Sequence, residues 1–175
     1  MATLSPTSRK TLLFGGFGAL FLLIAGYVAL GPDDGLRQPL QYNHKIHVET
    51  AGLICTDCHQ AVQISPSATI PQLETCSLCH SGEPISESPE ERRLLEFVSN
   101  ETEIPWKRVY RVPDHVYFSH RRHVTRGGLE CVTCHGDVAE FTVPITAAVT
   151  PVTMKHCMDC HREHAVSNDC LTCHR

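Results

Sequence analysis

All ten cysteines of this 175-residue chain fall into five copies of one pentapeptide, Cys-x-x-Cys-His. The copies are Cys55, Cys58 and His59; Cys76, Cys79 and His80; Cys131, Cys134 and His135; Cys157, Cys160 and His161; and Cys170, Cys173 and His174. Two cysteines at i and i+3 share one helical turn, so both reach the two vinyl groups of one haem as thioethers. The histidine that follows is placed to give the iron its proximal nitrogen. With 12 histidines in the chain, five pairs followed by histidine by chance has a probability on the order of 10⁻⁶.

Other uses of paired cysteines leave the histidines unexplained. A zinc ribbon takes its pairs two at a time and appends no histidine to each. A disulfide framework ignores the histidines, and a thioredoxin-like dithiol needs one pair. Five covalently bound haem c groups are therefore expected. They also account for an otherwise thin apolar inventory. The chain is 42% hydrophobic, but with the uncharged N-terminal run and the ten cysteines set aside, under a third of the remaining positions are conventional core formers. Flat apolar macrocycles stacked on one another take the place of the missing core. The expected fold is one N-terminal transmembrane helix followed by a haem-packed multihaem cytochrome c domain, mostly loops and short helices with little or no sheet. A net charge of −4 excludes a nucleic-acid binder of the basic-patch type, and the length excludes a large multidomain enzyme.

Thr11 to Leu30 is a 20-residue run without a charge, which as a helix spans about 30 Å, the thickness of a bilayer's hydrocarbon core. Arg9 and Lys10 precede it; Asp33 and Asp34 follow. The positive-inside rule then puts the N-terminus in the cytoplasm and the haem domain on the periplasmic side of a bacterial inner membrane. A cleaved signal peptide is the rival, but Pro32 directly follows the nearest small-residue site, Ala29-Leu30-Gly31, so an uncleaved anchor is expected. Gly15, Gly18, Ala19, Ala25, Gly26 and Ala29 suit either ordinary membrane composition or a packing face for a partner helix.

The remainder contains a duplication. Tyr42-Asn43-His44-Lys45-Ile46-His47-Val48, with Gly52-Leu53 and then Cys55, aligns without a gap at an offset of 76. The second copy is Phe118-Ser119-His120-Arg121-Arg122-His123-Val124, with Gly128-Leu129 and then Cys131. Each copy continues into a second motif, and a fifth motif is appended at Cys170. The motif histidines fill one axial position per iron, so seven histidines remain for five sixth ligands. His44, His47, His120 and His123 are the expected distal ligands, because i and i+3 positions are close on a helix yet diverge enough to serve two haems. For the fifth, His164 is the first candidate, His156 the second and Met154 the third; methionine ligation would raise that haem's potential. His115, after Pro113-Asp114, reads as a loop residue.

The expected organisation is a tail at 1–10, an anchor at 11–31, a first dihaem unit at 32–85, a linker with a short helix at 86–112, and a second dihaem unit with the fifth haem at 113–175. Within the linker, Ser88-Pro89-Glu90-Glu91 reads as a helix start with serine as N-cap, proline at N1 and glutamate at N3. Leu94, Leu95, Phe97 and Val98 give it an apolar face. Lys107, Arg108, Arg111, Arg121, Arg122 and Arg126 form a basic stretch that suits either haem propionates or a solvated face. The sole tryptophan, Trp106, suits packing on a haem or on a partner.

The run from Ile104-Pro105-Trp106-Lys107-Arg108-Val109 through Val112-Pro113-Asp114-His115-Val116-Tyr117-Phe118-Ser119-His120 to Gly128-Leu129-Glu130-Cys131 resembles the pentahaem cytochrome subunit of bacterial alternative complex III. It is also similar to the multihaem subunit of the related quinone reductase complexes, within the class III cytochrome c superfamily. The resemblance covers nearly the whole chain after the anchor. It implies a membrane complex with iron–sulfur/molybdopterin-like and polytopic quinol-binding subunits, from which the cytochrome relays electrons to another cytochrome or a terminal oxidase. The ending Cys157-Met158-Asp159-Cys160-His161-Arg162-Glu163-His164 departs from that family's pattern.

The expected role is thus an electron-transfer subunit with no catalytic residues of its own. One rival is a multihaem reductase of a small oxyanion, which needs an iron with an open axial position. Another is a stand-alone single-anchor quinol dehydrogenase, which would carry a methionine shortly after the first motif; Gln60-Ala61-Val62 stands there instead.

Overall fold

Among the described residues helix formation is local, capped and brief, because few segments there carry an apolar stripe long enough to sustain more than one or two turns. The computed structural model describes residues 36–174, so the expected tail and anchor lie outside the described residues. Among those described, no helix is long and apolar enough to cross a membrane. The helices are α1 (His44–Glu49), α2 (Cys55–Cys58), α3 (Leu73–Ser77), α4 (Pro89–Ser99), α5 (Val132–His135), α6 (Met154–Glu163) and α7 (Cys170–Cys173). A π-helical turn at Arg122–Arg126 and a 3₁₀ turn at Val138–Glu140 complete them. Strand pairing among the described residues is a single antiparallel bridge between Val116 and His174. This is a domain of loops and short helices with no sheet.

The duplication is visible in the backbone. Asn43 caps α1 by accepting from the Ile46 N–H, at 3.1 Å; Ser119 stands at the equivalent position and accepts from the Arg122 N–H at 3.4 Å. Gly52 and Gly128 both take the left-handed conformation, with φ of +71° and +65°, which glycine adopts without a Cβ penalty. The chain then folds back so that the Leu53 N–H meets the His47 carbonyl and the Leu129 N–H meets the His123 carbonyl, both at 3.1 Å. The copies differ around the second histidine, where the second one takes a π turn from Arg122 to Arg126. Gly127 permits this, since a Cβ there would lie 2.6 Å from the His123 carbonyl oxygen.

The two copies also hold each other reciprocally. Lys45 donates its N–H to Phe141 O at 3.1 Å, and Arg121 donates to Ser65 O at 3.2 Å; each partner is 76 positions from its counterpart. The loop after the first motif thus seats the second His-x-x-His, and the loop after the third motif seats the first. Lys45 Nζ adds an ion pair with Glu140 at 2.6 Å.

The side-chain core is small. Leu40, Leu73 and Ile104 are buried together, with Leu94, Phe97, Val98 and Trp106 packed on them, so the apolar face of α4 and the lone tryptophan serve this cluster. Helix α4 starts as its sequence predicts, with Pro89 at its first position and the Ser88 hydroxyl accepting from the Glu90 N–H. The expected role of Glu91 is not the observed one: its carboxylate reaches past the cap to the Ile85 and Ser86 N–H groups and the Ser86 hydroxyl.

Candidate haem-binding site

Each Cys-x-x-Cys-His segment closes a helical turn. The histidine N–H bonds back to the first cysteine carbonyl at 2.9 Å for His59, 3.0 Å for His80 and His135, and 2.8 Å for His174; His161 lies within α6. Local caps explain why such short turns form. Asp57 accepts from the Ile54 N–H, Thr153 from the His156 N–H and Asp169 from the Leu171 N–H, each satisfying an otherwise orphan donor. The turn sets both sulfurs on one edge with the histidine beside them. No two of the ten cysteines are joined in a disulfide.

The imidazoles pair across the fold. The rings of His47 and His80 lie 6.3 Å apart, those of His120 and His135 6.4 Å, and those of His123 and His161 6.1 Å. Each pair joins one motif histidine to one histidine of the repeat. Two imidazoles bound to one metal ion through bonds of about 2 Å place their ring centres about 6 Å apart, so these spacings fit a shared iron. His44 and His59 are the corresponding pair in the first copy. Burial lowers the His44 pKa to about 4, with His59 and then His47 adding to the effect. The same cause, burial, lowers His120 and His135, so these rings are neutral at neutral pH. His44 Nδ1 is buried without a hydrogen-bond partner among the described residues.

Hydrogen bonds set the tautomers. His47 Nδ1 meets Asn43 O at 2.8 Å, His59 meets Thr69 O at 3.1 Å, and His120 meets Pro66 O at 3.0 Å. His123 meets Ser119 O at 2.8 Å, and His161 meets Ser167 O at 3.0 Å. Carbonyl oxygens only accept, so each Nδ1 carries the proton and each Nε2 keeps its lone pair for a metal. His80 differs, because its Nδ1 donates to the Glu91 carboxylate at 3.0 Å. Burial alone would raise the Glu91 pKa, but hydrogen bonds from Ser86, Ile85 and His80 hold it down at about 2. The glutamate is therefore an anion beside a motif histidine, a feature that its place in a helix start concealed.

An aromatic ring braces each His-x-x-His. Tyr42 stands edge-on to His44 at 4.7 Å and nearly parallel to His47 at 4.5 Å; Phe118 does the same to His120 at 4.9 Å and His123 at 4.6 Å. Leu78, Val132 and Leu171 within the motifs, and Ile54 just before the first, turn outward and are 78%, 55%, 83% and 65% exposed. Such side chains suit contact with a flat apolar macrocycle.

Neighbouring thiols reveal how the motifs follow one another. Partial burial raises the pKa of each thiol concerned, and a second motif adds to it: Cys58 acts on Cys76, Cys55 on Cys131, Cys160 and Cys157 on Cys134, and Cys173 on Cys157. The spatial series is second, first, third, fourth, fifth motif.

Of the remaining candidates, His164 caps the C-terminal end of α6, and both His164 and His156 are exposed without a ring partner among the described residues. Met154 opens α6 and is 62% exposed. The ring beside His174 is that of His115, at 5.5 Å and 16° from parallel. The six basic residues at 107–126 are exposed.

Sequence comparison agrees with this chemistry. The profile of the family described as cytochrome c7 and related cytochrome c matches residues 40–94 and 116–175. The chain belongs to this family. As a cytochrome c7-type multihaem protein it carries covalently bound haem c. It is also 32% identical, over 163 aligned residues, to the menaquinone reductase multihaem cytochrome c subunit of Nitratidesulfovibrio vulgaris, with 79% of this chain and 77% of that one covered. This bears out the expected kinship with the multihaem subunit of quinone reductase complexes.

Proposed function

We propose that this cytochrome c7-type protein is a membrane-anchored pentahaem electron carrier that relays electrons from a quinol-oxidising membrane complex to a periplasmic or membrane acceptor. The observation that carries the reading is the pairing of motif and repeat histidines at 6.1–6.4 Å, which suits irons closed on both faces. Bound haem supplies one-electron chemistry at each motif. The chain's own residues would bind and orient it: the cysteine pairs would fasten each haem, and the motif histidines together with His44, His47, His120 and His123 would ligate the irons. The Nδ1 hydrogen bonds hold each ring in the ligating tautomer.

The relationship to a menaquinone reductase subunit supports a quinone-linked complex as the partner. The complex would hold iron–sulfur/molybdopterin-like and polytopic quinol-binding subunits, and the acceptor would be another cytochrome or a terminal oxidase. The uncharged run at 11–30, flanked by Arg9 and Lys10, supports a single anchor with the haem domain on the periplasmic side. The second and fifth motifs stand at the two ends of the spatial series, so they are where the partners exchange electrons.

Extraction of the native membrane in mild detergent tests the reading. The protein is expected to co-purify with polytopic subunits, carry five haems per chain, and become reduced when quinol is added. A chain that purifies alone and still oxidises quinol would instead be a stand-alone dehydrogenase.

A further inference from the structure

We infer that His115 is the second axial ligand of the haem carried by Cys170, Cys173 and His174. The inference rests on the pentahaem reading and deepens it. The sequence points elsewhere for this ligand, to His164, His156 or Met154, because all three lie close to the fourth and fifth motifs along the chain. In space the ring beside His174 belongs to His115, at 5.5 Å and 16° from parallel. That spacing is close to those of His47 with His80, His120 with His135 and His123 with His161, at 6.3, 6.4 and 6.1 Å. Each of these pairs also joins a motif histidine to one outside the motifs.

The placement of His115 is built into the backbone. Val116 pairs with His174 as an antiparallel bridge, and the Tyr117 N–H donates to Cys173 O at 2.7 Å. The Val116 N–H turns back to Pro113 O at 2.9 Å, which fixes the residues on either side of His115. The segment that carries His115 is therefore bonded to the fifth motif on the motif's own backbone. Three histidines within nine residues, His115, His120 and His123, then serve the fifth, third and fourth motifs. Ligation needs no redox or proton step: a neutral imidazole donates its nitrogen lone pair to the iron and displaces solvent.

The test uses the full-length protein in detergent, first counting haems per chain by pyridine haemochrome. A count below five with the fifth motif empty would overturn the pentahaem reading, and this inference with it. At five haems, the ferric spin state and carbon monoxide binding to the ferrous protein decide the inference alone. The native protein is expected to be wholly low-spin and to bind no carbon monoxide promptly. His115→Ala is expected to turn one haem in five high-spin and to bind one carbon monoxide, while His164→Ala and His156→Ala behave as native. A native spectrum in His115→Ala, a high-spin haem in His164→Ala or His156→Ala, or prompt binding by the native protein would each overturn the assignment. If His115→Ala does not accumulate, His115→Met is expected to stay low-spin with a methionine–iron charge-transfer band, and absence of that band would also overturn it.

Discussion

The carboxylate of Glu91 accepts a hydrogen bond from His80 Nδ1 at 3.0 Å, whereas the corresponding bonds of His59 and His161 end on backbone carbonyls. An ionised partner strengthens such a bond and makes the imidazole more basic as a ligand. A more basic ligand favours the ferric state, so the second motif should hold the lowest-potential haem of those with the same axial pair.

Glu91→Gln is expected to raise the potential of that one haem by on the order of 60 mV, tenfold in a one-electron equilibrium. Potentiometric titration followed by optical spectroscopy checks it. An unchanged titration would mean that the carboxylate serves only the turn at Ile85 and Ser86.

The π turn around His123 makes a second prediction. A Cβ on Gly127 would lie 2.6 Å from the His123 carbonyl oxygen, and a backbone atom in a helical turn cannot step aside freely. Gly127→Ala is expected to cost about 1–3 kcal/mol, read as a lower denaturation midpoint of the holoprotein. Gly82, where a Cβ meets nothing within 4 Å, provides the control: Gly82→Ala should stay within about 0.5 kcal/mol of native.

The third concerns folding. Among the described residues the buried apolar side chains are Leu40, Val62, Leu73 and Ile104, too few to offset the ordering of the chain around them. Expressed in a host that cannot attach haem, the chain is expected to show neither cooperative thermal unfolding nor dispersed amide resonances. A compact apoprotein would contradict the haem-packed reading.

How much was legible follows how local each feature is. The motifs, the helix start at Ser88-Pro89 and the duplication are written in short spacings, and each appears in the structure where the sequence puts it. Glu91 was legible as a residue of the first helical turn but not as the partner of His80, because that contact depends on how the 81–88 loop folds back. His115 read as a loop residue for a similar reason: it meets His174 only after the chain has passed through two further motifs.

The sequence by itself determined the chemistry on offer, since two cysteines and a histidine on one turn suit haem attachment through local geometry alone. It also determined that the site is duplicated, through the matched Tyr42 and Phe118 segments. Tertiary structure alone decided which imidazole faces which. That choice depends on Lys45 meeting Phe141 and Arg121 meeting Ser65, contacts between segments far apart in the chain. Spacing along a chain constrains one turn of backbone; it carries no record of which distant turn will pack opposite.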